Sequence, residues 1–117
     1  MANSNSSFSS IKKQHDFSIV FKQNSSYVQP PFKVLVGREK KLNSRLGIIV
    51  SKKNHKLAVD RNCIKRISRE AFRASALTLN RDMILIVGAF DLIEMRTKLF
   101  STIYNVFEKI NHESASR

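Results

Sequence analysis

Apolar residues in this chain fall into segments with distinct periods. In residues 11–23, Phe17, Val20 and Phe21 recur at i, i+3 and i+4, which predicts a short helix with one apolar face. Asn24-Ser25-Ser26 ends it. A strand is expected over residues 27–37, with Pro30 and Pro31 confining its first half to a sheet edge. A second strand, RLGIIVS, is expected over residues 45–51. The basic, polar connection of residues 38–44 is short enough to favour antiparallel neighbours. A long helix is expected over residues 57–79, broken by Asn80-Arg81-Asp82. Residues 83–87 are uninterruptedly apolar and suit a central strand. In the last helix, residues 93–111, Met95, Leu99, Ile103, Val106, Phe107 and Ile110 keep helical spacing. The expected order is αββαβα, a small α/β (α+β) two-layer sandwich with a mostly antiparallel sheet.

Ser and Asn dominate residues 1–10, read as a disordered tail in which Phe8 is the only large apolar group. Residues 11–112 are read as one domain and 113–117 as a C-terminal tail. The chain of 117 residues has no room for two ordinary domains. Its longest apolar run is far shorter than the roughly 20 residues of a membrane span. Its start lacks the apolar stretch of a secretory signal. A cytoplasmic protein with no membrane partner is expected. One cysteine excludes an internal disulfide and a cysteine zinc site.

Charge changes the picture most. The formal net charge is +12, and it is not scattered. Residues 33–73 hold thirteen basic and three acidic side chains, whereas residues 74–117 hold five of each. A concentrated excess is the footprint of a polyanion, against the blander reading of a solvated face. On a helical wheel of residues 57–79, Cys63, Ile64, Ile67, Ala71 and Ala74 fall on one side. Arg61, Asn62, Lys65, Arg66, Arg69 and Arg73 fall on the other. Stacked like charges repel by about a few tenths of a kcal/mol per pair, which phosphate binding offsets. Glu70 can pair with Arg66 or Arg73. Phe72 lies nearer the basic side, and packing is favoured over an RNA contact.

The residues offer no catalytic constellation of their own. The nine acids are spread out, and no pair has ligand-like spacing. Asp91 and Glu94 sit at a helix start, where capping is the better reading. His15, His55 and His112 are isolated from one another; His55, in the basic loop KKNHK, is the one placed to contact RNA. Cys63 falls on the buried side and is read as packing.

Residues 58–73, AVDRNCIKRISREAFR, closely resemble the signature helix of the bacterial ribonuclease P protein subunit. Residues 45–53, RLGIIVSKK, match the strand and Lys-Lys that lead into it, and residues 11–21, with Phe17 and Phe21, resemble the family's first helix. The likeness covers residues 11–111. It departs in two places: Cys63 stands where the family usually has Arg, and Leu35 where many members carry a Tyr. The resemblance implies a fold like ribosomal protein S5 domain 2, with a left-handed crossover through the basic helix, against the usual hand. It implies a non-catalytic subunit of an endoribonuclease that removes the 5′ leader from precursor tRNA, with Mg²⁺ held by the catalytic RNA and one protein per RNA. Lys52, Lys53, Arg61, Asn62, Lys65, Arg66, Arg69 and Arg73 are then the candidates for docking that RNA. Phe17 and Phe21 are the candidates for stacking on the single-stranded leader, with core packing as their bland alternative. The rival readings are a structural RNA binder of ribosomal type, a DNA-binding regulator and a protein-only nuclease.

Overall fold

The computed structural model describes residues 9–75 and 80–115. The elements are β1 (Ser9–Ser10), α1 (Gln14–Lys22), β2 (Asn24–Gln29), β3 (Phe32–Lys40), β4 (Arg45–Val50), α2 (Ala58–Ala74), β5 (Arg81–Val87), α3 (Leu92–Met95), a 3₁₀ turn (Arg96–Lys98) and α4 (Leu99–Ala115). The sheet order is β1-β4-β5-β3-β2. The mixed α+β sandwich is therefore present, with several differences from the expected pattern.

The strand expected over residues 27–37 is a hairpin. Pro30 and Pro31, joined by a cis peptide, occupy its turn, where a residue without an N–H leaves no ladder bond unmade. β3 and β4 are not neighbours. β5 lies between them, antiparallel to β3 and parallel to β4. Its run Met83-Ile84-Leu85 is wholly buried, so it takes the centre of the sheet, as its composition predicts. The sheet is consequently half parallel rather than mostly antiparallel, because β1 also pairs with β4 in parallel. Ser9 and Ser10, expected in the tail, form that edge strand. Ile11 continues it by donating its N–H to Leu46 O at 3.1 Å. Phe8 lies outside the described residues, as do residues 76–79, where the long helix was expected to end. α2 itself stops at Ala74. The last helix comes in three pieces, with Asp91 capping the first through Ile93 N at 3.0 Å.

Strand alternation sorts the core onto two faces. Phe32, Val34, Val36, Leu46, Val50, Met83, Leu85 and Val87 pack under α2 and α4. Ile64, Ala71 and Phe72 come from α2; Leu99, Ile103, Val106, Phe107 and Ile110 come from α4, the stripe expected from its spacing. Leu35 and Ile84 face the other way, with Val20 of α1 and Ile11. α1 is thus a partial third layer on the opposite side of the sheet from α2.

Candidate nucleic-acid interface

α2 begins without a side-chain N-cap. Its ends are instead matched to the helix dipole, with Asp60 in the first turn and Arg73 in the last. The buried stripe is Ile64, Ser68, Ala71, Phe72 and Ser75. This is rotated from the expected one: Ala74 is exposed and Cys63 only half-buried. Two serines sit in the core because their hydroxyls are satisfied within the helix, Ser68 donating to Ile64 O and Ser75 to Phe72 O, each at 2.7 Å. Phe72 is buried with its ring edge-on to Phe107 at 5.3 Å, so its role is packing.

The rotation leaves the cations in a sector running from one flank of α2 to its crest. Arg61, Lys65 and Arg69 are half-buried along the flank; Asn62, Arg66 and Arg73 are exposed. Val59, Cys63, Ile67 and Ala74 occupy the other flank. The six residues singled out from the sequence share one surface but not one state. Arg61 Nη1 donates to His55 O and Lys56 O at 2.9 Å each, tying the preceding loop to the first turn of the helix. Arg66 reaches Glu70 at 3.8 Å and lies 3.9 Å from Cys63 Sγ, so Cys63 lies under a neighbouring arginine. Lys52 and Lys53 are exposed in the turn before α2, where Asn54 N donates to Ser51 Oγ at 3.2 Å.

His55 does not meet solvent. It is buried, its Nε2 lies 2.9 Å from Gly88 O, and its ring packs against Phe90 at 4.7 Å. A carbonyl can only accept, so Nε2 carries the proton. The imidazole fastens the basic loop to the end of β5, which overturns the expectation of an RNA contact.

The opposite face of the sheet presents two cross-strand rows. Ser26, Leu35, Ile84 and Gly47 form one, in which α1 covers Leu35, Ile84 and Gly47 and leaves Ser26 exposed. Val28, Lys33, Ile86 and Ile49 form the next. In that second row Val28 and Lys33 are exposed and the two isoleucines half-buried, making an apolar strip with one cation beside α1. Phe17 lies half-buried against this side of the core, its ring directly over Gly47. Phe21, one turn on, is 48% exposed. Leu35 is buried under α1 and offers no stacking surface. Sequence reasoning missed Lys33, Ile49 and Ile86. The available signal was the lone Lys33 in the apolar run of residues 32–36.

Asp82 is buried and forked by Arg45, with Nε to Oδ1 at 2.7 Å and Nη2 to Oδ2 at 2.6 Å. The same Nη2 lies 3.5 Å from Asp16 Oδ2 on α1. Hydrogen bonding to Asp82 raises the Arg45 pKa above its ordinary value, against the opposing effect of burial. The Arg45 guanidinium is thus shared by the two carboxylates. Among the described residues no three His, Cys, Asp or Glu side chains are grouped as metal ligands, and no helix is long and apolar enough to cross a membrane.

This arrangement has close counterparts. The solved RNase P protein of Staphylococcus aureus superposes with a TM-score of 0.64 at 30% identity, covering 93% of this chain and 95% of that one. The RNase P protein of Thermotoga maritima gives 0.66 at 28%, covering 86% and 96%. The ribonuclease P protein component of Pseudoalteromonas atlantica is 38% identical over 80% of this chain and 79% of its own length. That of Vesicomyosocius okutanii is 30% identical over 86% and 88%. The family model described as Ribonuclease P matches residues 6–111, and with these relatives it establishes that the chain belongs to the ribonuclease P protein component family.

Proposed function

We propose that this chain is the protein subunit of a ribonuclease P ribonucleoprotein acting in 5′ maturation of tRNA, with its two RNA surfaces on opposite faces of one sheet. The observation that carries the proposal is the one-sided cationic sector of α2, built on the residues that match the family's signature helix. Lys52, Lys53, Asn62, Lys65, Arg66, Arg69 and Arg73 dock the catalytic RNA. Arg61 contributes chiefly by holding the loop that carries the two lysines. Guanidinium forks suit phosphate oxygens, and each phosphate neutralised releases counterions, so this contact weakens steeply with salt.

On the other face, Phe17 and Phe21 flank the strip of Val28, Lys33, Ile86 and Ile49. An aromatic, apolar surface with one cation suits a single strand, whose bases stack on rings while its backbone meets the amine. Only a precursor carries a leader, so this surface favours precursor over mature tRNA. The protein's carboxylates are dispersed or locked against Arg45, and the Mg²⁺ ions belong to the catalytic RNA, which carries out the hydrolysis. The protein lowers repulsion between two RNAs and with it the Mg²⁺ requirement. One protein serves one catalytic RNA.

The test is cleavage of a leader-bearing precursor tRNA at low Mg²⁺ by the protein combined with ribonuclease P RNA from the same organism. The expected result is 5′ maturation only when both are present. Arg66→Ala/Arg69→Ala should weaken assembly with the RNA, and Phe17→Ala/Phe21→Ala should reduce the preference for precursor. Tight RNA binding without stimulation across a Mg²⁺ series would overturn the proposal.

A further inference from the structure

α1 is a short helix with little of its surface buried. It has nine residues, too few to be stable alone, and Val20 is its one buried side chain. Its place over the sheet must therefore come from specific contacts, and two of them converge on β4. Arg45 is committed to Asp82, yet its Nη2 also reaches Asp16, the residue before Phe17. Two positions along the strand, on the same face, Gly47 lies under the Phe17 ring. A Cβ at Gly47 would stand 2.6 and 2.7 Å from Cε1 and Cζ of that ring, where ordinary contact begins at 3.4 Å.

We infer that Arg45 and Gly47 form a seat for α1 that sets the height and position of Phe17 beside the strip of Ile49, Ile86 and Lys33. They are positioning residues for leader recognition. The inference rests on the leader reading proposed above, and it gives the Arg-x-Gly spacing of residues 45–47 a job. Consecutive same-face positions of one strand hold consecutive residues of one helix, the first by charge and the second by the space it leaves. Asp82 supplies the rigidity: buried and forked, it fixes the guanidinium that Asp16 meets. β4 is held along its length by β5 and at Arg45 and Leu46 also by β1, so the strand yields less readily than the end of a ring. A methyl group at residue 47 therefore displaces the ring and the helix rather than the strand.

The experiment uses the holoenzyme assembled with its RNA. It measures the ratio of affinities for precursor and mature tRNA, together with the affinity of protein for catalytic RNA. Gly47→Ala and, separately, Asp16→Asn should lower the precursor preference about five- to tenfold, a loss of the size of one base stack. Affinity for the catalytic RNA should stay within about twofold, because α2 lies on the other side of the sheet. Gly47→Ala made in a Phe17→Ala background should add almost nothing, since it acts through that ring. A merely structural defect would add its full effect there and would weaken RNA docking as well; either result overturns the inference. Asp16→Asn keeps size while removing the charge and one acceptor oxygen, so it reports even if Gly47→Ala folds poorly. Unchanged preference in Asp16→Asn, with Phe17→Ala impaired, also overturns it. If Phe17→Ala itself leaves the preference intact, the leader reading fails first, and this inference falls with it.

Discussion

Arg61 and Arg66 look interchangeable in the sequence, both lying in the arginine-rich run of one helix, but the structure gives them different work. Arg61 Nη1 makes two hydrogen bonds at 2.9 Å to the carbonyls of His55 and Lys56. Each such bond contributes about 0.5–1.5 kcal/mol net, and Arg61 is half-exposed, so Arg61→Ala should cost about 1–2 kcal/mol. At about 4 °C per kcal/mol for a domain of this size, the Tm should fall by about 4–8 °C. Arg66 is exposed and meets Glu70 at 3.8 Å, an i,i+4 surface pair of about 0.3–0.5 kcal/mol, so Arg66→Ala should move the Tm by no more than about 2 °C. RNA binding should invert the order. Arg66→Ala should reduce the slope of log K against log salt by about 0.7–0.9, the loss of one phosphate contact. Arg61→Ala should change that slope less, because one arm of its guanidinium is already engaged. Thermal unfolding by circular dichroism and a salt series of RNA binding by anisotropy measure both quantities. Equal unfolding temperatures for the two variants, or a larger slope change for Arg61→Ala, would refute the division.

Phe72→Ala removes a buried ring packed against Phe107 and should cost about 3–5 kcal/mol, read as a lower urea midpoint with unchanged slope. His55→Ala loses the bond to Gly88 O and the contact with Phe90; a loss of about 1–3 kcal/mol is expected in the same assay. Lys33→Ala should leave stability within about 0.5 kcal/mol, since the side chain is exposed. It should nevertheless reduce precursor affinity severalfold without affecting mature tRNA, which competition binding would show.

What the sequence disclosed depended on whether a residue's role was local. The spacing of Leu99, Ile103, Val106, Phe107 and Ile110 declares the buried face of α4, and the apolar run of β5 declares its central place. The Asp91 cap and the Arg66–Glu70 pair are contacts between near neighbours, and both were legible. The stripe of α2 was read one step out of phase, because Ser68 and Ser75 look polar. Their hydroxyls satisfy carbonyls one turn back, which allows them into the core. The order of strands was misjudged because the short link between β3 and β4 suggested adjacency. Pairing was decided instead by which strand had to be buried on both faces. His55 was misread for a similar reason: its partners, Gly88 and Phe90, lie more than thirty residues away. Of the candidate site, the cations of α2 were visible as composition. The strip of Lys33, Ile86 and Ile49 was not, since it exists only once three strands are in register.

That register also bears on the two RNA surfaces proposed for this small chain. Leu46, Ile48 and Val50 of β4 face the core beneath α2, while Gly47 and Ile49 face α1 and the exposed strip. Alternate residues of one strand thus support the two proposed RNA surfaces, one carried by α2 above the sheet and the other on the sheet's opposite face. The loop that leaves β4 carries Lys52 and Lys53 onward to the basic helix. A strand buried on one side and partly covered on the other resists sliding, because a shift of one residue would exchange its two faces. On the proposed reading, the spacing of the two surfaces follows from the register of β4 with β5 rather than from the reach of flexible side chains. This is why substitutions at Gly47 and at Arg66 should separate so cleanly in their effects, although both belong to the same continuous stretch of sequence.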